Sequence, residues 1–243
     1  MHEQLWFTHI LNALFAAPVT GLFHLLHIPV ADAAAPITNT FAMEVLVALI
    51  LMLYAAWQRP RLSVDKPRGW QHILELSWNG ISDHSEEVIG HGGSRFLPYL
   101  FTLAIFILIG NLIGLIPSLE SPTAGIETTI GLAVATFLYY HAVGLKKMGL
   151  AKYAKTFLGP IWWMAPLVVV IEIISHFARI LSLSVRLYAN MFAGELLVTI
   201  FMALLPVLGI VFMGLHVFVA FLQAYIFLVL TMVYLAGATA EEH

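Results

Sequence analysis

An all-α polytopic membrane protein with five transmembrane crossings is what this sequence predicts, and three observations carry that reading. Hydrophobic residues fill 60% of the 243 positions and charged residues only 10%, with a mean hydropathy of +0.90, a balance outside the range of ordinary soluble domains. Apolar runs of about 20 residues, enough for one helical crossing, recur along the chain, while the alternating pattern of a membrane β-barrel does not. The basic residues gather in two places: Arg59, Arg61, Lys66, Arg68 and Arg95, then Lys146, Lys147, Lys152 and Lys155. The positive-inside rule puts both loops in the cytoplasm, the N-terminus outside and the C-terminus inside.

Residues 1–40 hold no Lys or Arg, and Pro18, Gly21 and Pro29 interrupt their apolar patches, so an extracytoplasmic arm is expected there. Ala31 to Ala35 resembles a signal-peptidase site, but the basic region that a signal peptide needs is missing. A single membrane domain, 41–243, follows. Its first crossing, about 41–57, stops at Trp57, Arg59, Pro60 and Arg61, residues suited to the interface. Trp70, Ile73, Leu74, Ser77, Trp78 and Ile81 then repeat with helical period opposite Gln71, Glu75, Asn79 and Asp83. That pattern predicts an amphipathic helix lying on the membrane surface. His72, His84 and His91 stand near Glu86 and Glu87, yet their spacing matches no zinc motif and reads as a solvated loop. With cysteine absent as well, no metal or thiol chemistry is expected.

The second crossing, about 96–117, carries Gly110 and Gly114 four apart around Asn111, a spacing read as close helix packing. A short loop with Glu120 and Glu127 and no base leads to the third crossing, about 128–145. The fourth apolar run, 161–205, would be about 67 Å long as one helix, more than twice the ~30 Å hydrocarbon core. It must either break, at Pro166 or Gly194, or lie strongly tilted. A break near Pro206 and Gly209 is expected before the fifth crossing, about 210–235.

Inside the fourth run, Glu172, Ser175, Arg179, Ser182, Arg186 and Asn190 follow at steps of three or four, which sets them along one helical face. A charge at the bilayer centre costs roughly 2.5–3.5 kcal/mol on insertion scales, so such residues face protein or water and mark an ion path. His216 and Gln223, seven apart, offer a matching polar face on the last helix. Arginine does not release its proton at physiological pH, which makes Arg186 a fixed cation rather than a relay. Held ~4 Å from a carboxylate at an effective dielectric of ~20, it would favour the ionised form by about 4 kcal/mol. Glu195 lies about 13 Å along the helix toward the outside and Glu172 about 21 Å toward the inside. His216, with an ordinary pKa near 6.5, is suited to proton relay beside Glu195.

Plainer roles stand beside these. Arg179 would reach the inner surface by snorkelling, Ser175 and Ser182 would bond to their own helix backbone, and Arg186 would pair with Glu172 or Glu195 as a structural ion pair. A secondary transporter built on the same stripe would show internal repeats and interrupted helices, and no repeat relates the two halves. An assembly or anchoring subunit would need only the ion pairs.

Ser182 to Leu197, SLSVRLYANMFAGELL, resembles the signature of subunit a of the F-type ATP synthases, the membrane stator beside the rotating c-ring. His216 to Gln223 with the AYIFLVLTMVYL that follows, the AEEH terminus, and GLIPSLESPTA at Gly114 to Ala124 are similar to the same family. The resemblance implies that the last two helices form a long tilted hairpin against the c-ring, and that peripheral-stalk subunit b and membrane lipid are further neighbours. It sets Arg186 at the family's essential arginine, Asn190, Glu195, His216 and Gln223 on the outer half-channel, and Glu172 and Ser175 on the inner one. It implies a bacterial inner-membrane, proton-conducting subunit with no cofactor and no nucleic acid. No phosphate-binding loop occurs in the sequence, so no nucleotide site is expected.

Overall fold

The computed structural model describes residues 5–25, 27, 32, 35–63, 69–90, 92–116, 118–150, 152, 153 and 164–239. Several expectations lie outside them: Lys66, Arg68, His91, Lys155, the beginning of the fourth run at 161–163, the AEEH terminus, and most of the stretch resembling a signal-peptidase site. The described elements are helical. They run α1 (Trp6–Leu25), α2 (Asn39–Gln58), α3 (Gly69–Ile89), α4 (Leu97–Ile113), α5 (Ile126–Met148), α6 (Ala165–Leu204) and α7 (Pro206–Thr239). Six of these are long and apolar enough to cross a membrane, α3 being the exception.

Local chemistry explains the boundaries. Thr38 opens α2 by accepting the Phe41 N–H on its hydroxyl at 3.2 Å. The expected interfacial stop closes it: Arg59–Arg61 tighten into a 3-10 turn, and the Arg61 guanidinium sits 3.8 Å from the centroid of Trp57. Between α3 and α4, Gly90 and Gly92 take φ values of +90° and +88°, which only glycine adopts cheaply. Glu86 then accepts the N–H groups of Gly92 and Ser94, at 3.1 and 2.8 Å, and folds the turn back on α3. Those donors, Ser94 foremost, hold the Glu86 carboxyl below its usual range. α5 carries Glu127 in its first turn and Lys146 and Lys147 in its last, charges that suit the helix dipole.

Of the two alternatives for the fourth apolar run, a break or a strong tilt, the structure removes the break. α6 breaks at neither Pro166 nor Gly194: Pro166 sits in the first turn, where no N–H is needed, and 40 residues continue without interruption. The separation from α7 is also tighter than expected. Leu205 alone leaves the helical conformation, Pro206 begins α7, and Gly209 lies inside α7, where a side chain would overlap Met202. α6 and α7 therefore form a hairpin, closed by Phe201 stacked on Phe212 at 4.2 Å. The second crossing ends earlier than expected, because Gly114 to Ile116 already turn out of α4.

α4, α5, α6 and α7 share one core. Leu103 and Ile107 from α4, Ala133 from α5, Leu183, Leu187 and Met191 from α6, and Ala224 and Phe227 from α7 pack together. A second cluster, with Phe96, Leu100, Tyr140, Leu228, Met232 and Leu235, extends it toward the lysine-bearing end of α5. There Lys147 donates to the Thr239 carbonyl at 2.7 Å and clamps the end of α7. α2 joins through Met43 and Val47 against Ile113.

α1 differs from the interrupted arm that the sequence predicts. It is a continuous helix that runs through Pro18 and Gly21. Leu5 N–H meets the Asn39 side chain at 3.2 Å, and Asn12 exchanges hydrogen bonds with Ile37 at 3.0 and 3.1 Å. Both contacts lie at the start of α2. In α3, Trp78 packs edge-on against Phe101, His84 stacks on Tyr225 of α7, and Gln71, expected on the polar face, is buried, while Trp70, Ile73 and Leu76 stay exposed.

Candidate functional site

The site is built where α6 crosses α7. Leu183, Leu187 and Met191 recur every four residues and turn one face of α6 into the core. Ser182, Arg186 and Asn190 each precede one of them by a single residue, about 100° around the helix, and so come to the rim of the buried face. Ser182 and Asn190 are exposed and Arg186 is half-buried. The Arg186 guanidinium donates to the Ser182 hydroxyl at 3.2 Å. Among the described residues no carboxylate pairs with it, so the structural ion pair with Glu172 or Glu195 does not form.

The stripe is not one face. Arg179, expected to snorkel, turns inward instead, with its guanidinium 5.5 Å over the Tyr234 ring. It helps line a narrow cleft with Phe137, Tyr140 and Leu183. Seven residues separate Arg179 from Arg186, and seven steps of 100° fall about 20° short of two turns, enough to carry the two arginines to different sides of the core edge.

One end of the site joins α6 to α7 directly. Asn190 donates to the Gln223 side-chain oxygen at 2.8 Å, and Gln223 is fully buried. The matching polar faces expected of the two helices thus meet. His216 is 2% exposed, and neither ring nitrogen has a hydrogen-bond partner among the described residues. It lies against the backbone of Gly194, so closely that a methyl group there would overlap the ring. Glu195 follows in sequence but does not bond to His216. It accepts the Ser121 N–H at 3.1 Å, and Gly114 leaves the room its carboxylate occupies.

This loop contact was not legible in the sequence. Ser121 donates to the Gly110 carbonyl at 2.8 Å, Thr123 to Asn111 at 2.6 Å, and Asn111 to the Ala220 carbonyl of α7 at 3.0 Å. The Gly110–Asn111–Gly114 spacing, read as helix packing, therefore also seats a polar network that reaches Glu195. Glu44 of α2 was missed as well; it accepts from Thr128 at 2.6 Å. Glu120 lies 3.5 Å from the Asn39 amide, and Glu127 lies beside Gly125.

At the lysine-bearing end, Glu172 and Ser175 are both half-buried. Glu172 stands 3.4 Å from His176, a residue the sequence reading passed over. Ser182 accepts from Arg186 rather than bonding to its own backbone, while Ser184, not singled out, donates to the Ile180 carbonyl at 2.6 Å. The histidines of α3 stay apart: His72 lies 3.9 Å from Glu75, and His84 3.3 Å from Glu87.

Residues 39–236 match the family described as ATP synthase A chain, which takes in every element of the site. The chain belongs to this family. It is 51% identical over 244 residues to ATP synthase subunit a of Koribacter versatilis, covering all of both chains. It is 48% identical to that of Solibacter usitatus, over 88% of this chain and 92% of the relative. With the subunit a of Trichlorobacter lovleyi it shares 44% over 92% of this chain and 95% of the relative. As a member of the ATP synthase A chain family with six long apolar helices, it is an integral membrane protein of ATP synthesis and ion transport.

Proposed function

We propose that the chain is the proton-translocating stator subunit of a rotary F-type ATP synthase, providing two offset half-channels to and from c-ring carboxylates with Arg186 between them. One observation carries the reading: Arg186 stands at the rim of the core, its guanidinium held by Ser182 and by no carboxylate of the described chain. A permanent cation in an apolar setting calls for a negative partner, and a passing carboxylate of a neighbouring subunit supplies one.

In this mechanism a proton enters from outside past Glu195, His216, Asn190 and Gln223 and neutralises a c-ring carboxylate, which then turns into the lipid. After rotation the carboxylate approaches the inner path of Glu172 and Ser175, gives up its proton and meets Arg186 ionised. Arg186 closes the direct route because it carries no transferable proton. The link from Asn190 to Gln223 and the buried ring of His216 support an outer path. The c-ring and peripheral-stalk subunit b are the proposed partners.

Five crossings fit this function, with the N-terminus outside and the C-terminus in the cytoplasm of a bacterium. Hydrogen bonds of Leu5 and Asn12 hold the beginning of α1 where α2 starts, which supports an outer arm, and α3 has the exposed apolar face of a helix lying on the surface. A helix of 40 residues is about 60 Å long, which favours a strong tilt of α6.

Replacing Arg186 by Ala in inverted membrane vesicles tests the proposal. ATP-driven acidification should disappear; acidification at a normal rate would end the stator reading. Glu195→Gln and His216→Ala should each slow proton uptake, and normal rates in both would remove them from the path.

A further inference from the structure

The inner path holds an imidazole that neither the stripe nor the family match assigns. We propose that His176 is the proton carrier that delivers to Glu172, with His141 of α5 as the positioning residue that holds its ring. This rests on the stator reading given above.

His176 is buried, one helical turn beyond Glu172 on α6. Its Nδ1 lies 2.8 Å from the Glu172 carbonyl and 3.4 Å from the Glu172 carboxylate. A carbonyl only accepts, so Nδ1 carries the hydrogen and donates it to that carbonyl, with the Glu172 carboxylate beside it as the nearest acid among the described residues. Nε2 is then the ring's basic nitrogen. A proton taken up at Nε2 makes the imidazolium, and loss of the Nδ1 hydrogen to Glu172 restores a neutral ring and leaves a carboxylic acid. Glu172 then releases its proton to water, and the ring regains its first tautomer by a separate exchange with water in which Nε2 gives up one proton and Nδ1 takes one. Net, one proton moves past the ring and no other bond changes.

His141 fixes the plane of that ring. The two imidazoles stack with centroids 4.8 Å apart and only 7° between planes, and His141 Nδ1 meets the Tyr153 hydroxyl at 2.5 Å. Phe137 braces both rings edge-on. The ring edges face Tyr140, and Arg179 lies one turn further along α6 beside Tyr234 of α7. Among the described residues, the charged and titratable groups around the pair are Glu172 and Arg179 from α6, Tyr140 from α5, Tyr153 beyond it and Tyr234 from α7. Glu172 is the sole acid in that set. Among the described residues, Glu172 is the carboxylate to which a proton reaching His176 can pass.

The test uses the whole complex in inverted vesicles, with the catalytic sector either present or stripped away, and checks that c-ring and stalk subunits stay bound. His176→Gln keeps a side chain of polar character but carries no proton. It should lower passive proton conduction at least about tenfold and flatten its dependence on the pH at the inner face. Added imidazole should restore part of the rate in His176→Ala. His141→Phe, which keeps a flat ring to stack on, should conduct within about twofold of the parent, and His141→Ala should lose about tenfold. Conduction in His176→Gln within twofold of the parent, with the same pH profile, overturns the carrier role. That result beside a silent Arg186→Ala sinks the carrier alone, whereas normal acidification in Arg186→Ala sinks the stator reading.

Discussion

Gly194 shows how a single residue conditions the chemistry of its neighbours. His216 rests on the α6 backbone at the point where any side chain would overlap its ring. The expected outcome of Gly194→Ala is therefore a displaced imidazole in a folded subunit, and a shift of about 1 Å in a reacting group can cost up to a hundredfold in rate. ATP-driven acidification should fall at least about fivefold while the complex still assembles, and an unchanged rate would mean that the ring position is immaterial. Glu86 illustrates a charge with a structural task. Its depressed pKa means that the stabilisation it provides is complete above the ordinary carboxylate value and is lost as pH falls through the lower folded value. Amide exchange in the turn 92–96, corrected for its intrinsic pH dependence, should rise on acidification, and Glu86→Gln should abolish that dependence.

At the scale of elements, the loop between α4 and α5 is fastened to α7 through Asn111. That side chain is buried, accepts from Thr123 and donates to Ala220. Asn111→Leu keeps the volume but leaves Thr123 without its acceptor, at a cost of about 1–3 kcal/mol. The purified complex should lose subunits at a lower temperature, and Glu195 should become more accessible to a carboxyl reagent. If heat release is unchanged, the network is not holding the loop. The same loop explains why Glu195 meets Ser121 before it meets His216: the helix hairpin brings the imidazole to the backbone of Gly194, and the α4–α5 turn reaches the acid first.

The described molecule has a four-helix core, α4 to α7, with α1, α2 and α3 outside it, and its proposed orientation follows from the charge at its ends. Since the chain has no cysteine, single cysteines report topology without background. Glu120→Cys and Leu14→Cys should react with a membrane-impermeant maleimide from the outside, and Lys152→Cys only from the cytoplasm. Reaction of Leu14→Cys from the cytoplasm alone would make α1 a sixth crossing and reverse the arm reading.

The long apolar helices and the polar residues from Glu172 to Asn190 inside one of them were open to reading from the sequence, because both the hydrophobic drive into a bilayer and the 3.6-residue period act locally. The charge count of the loops is local in the same way. What chain order could not convey is which neighbour each polar group finds. Arg179 and Arg186 look alike at a spacing of seven, yet one turns under Tyr234 and the other reaches the rim, since the core decides which side of a slowly drifting stripe is buried. Asn111, Ser121 and His176 gave no sign of their partners, for these lie on segments far along the chain or in the local turn of a helix already packed. Pairings of that kind depend on distances across helices. The amino-acid order therefore determined a bundle of long apolar helices with an arginine inside its fourth apolar run, and only tertiary packing decided that among the described residues no carboxylate would pair with it.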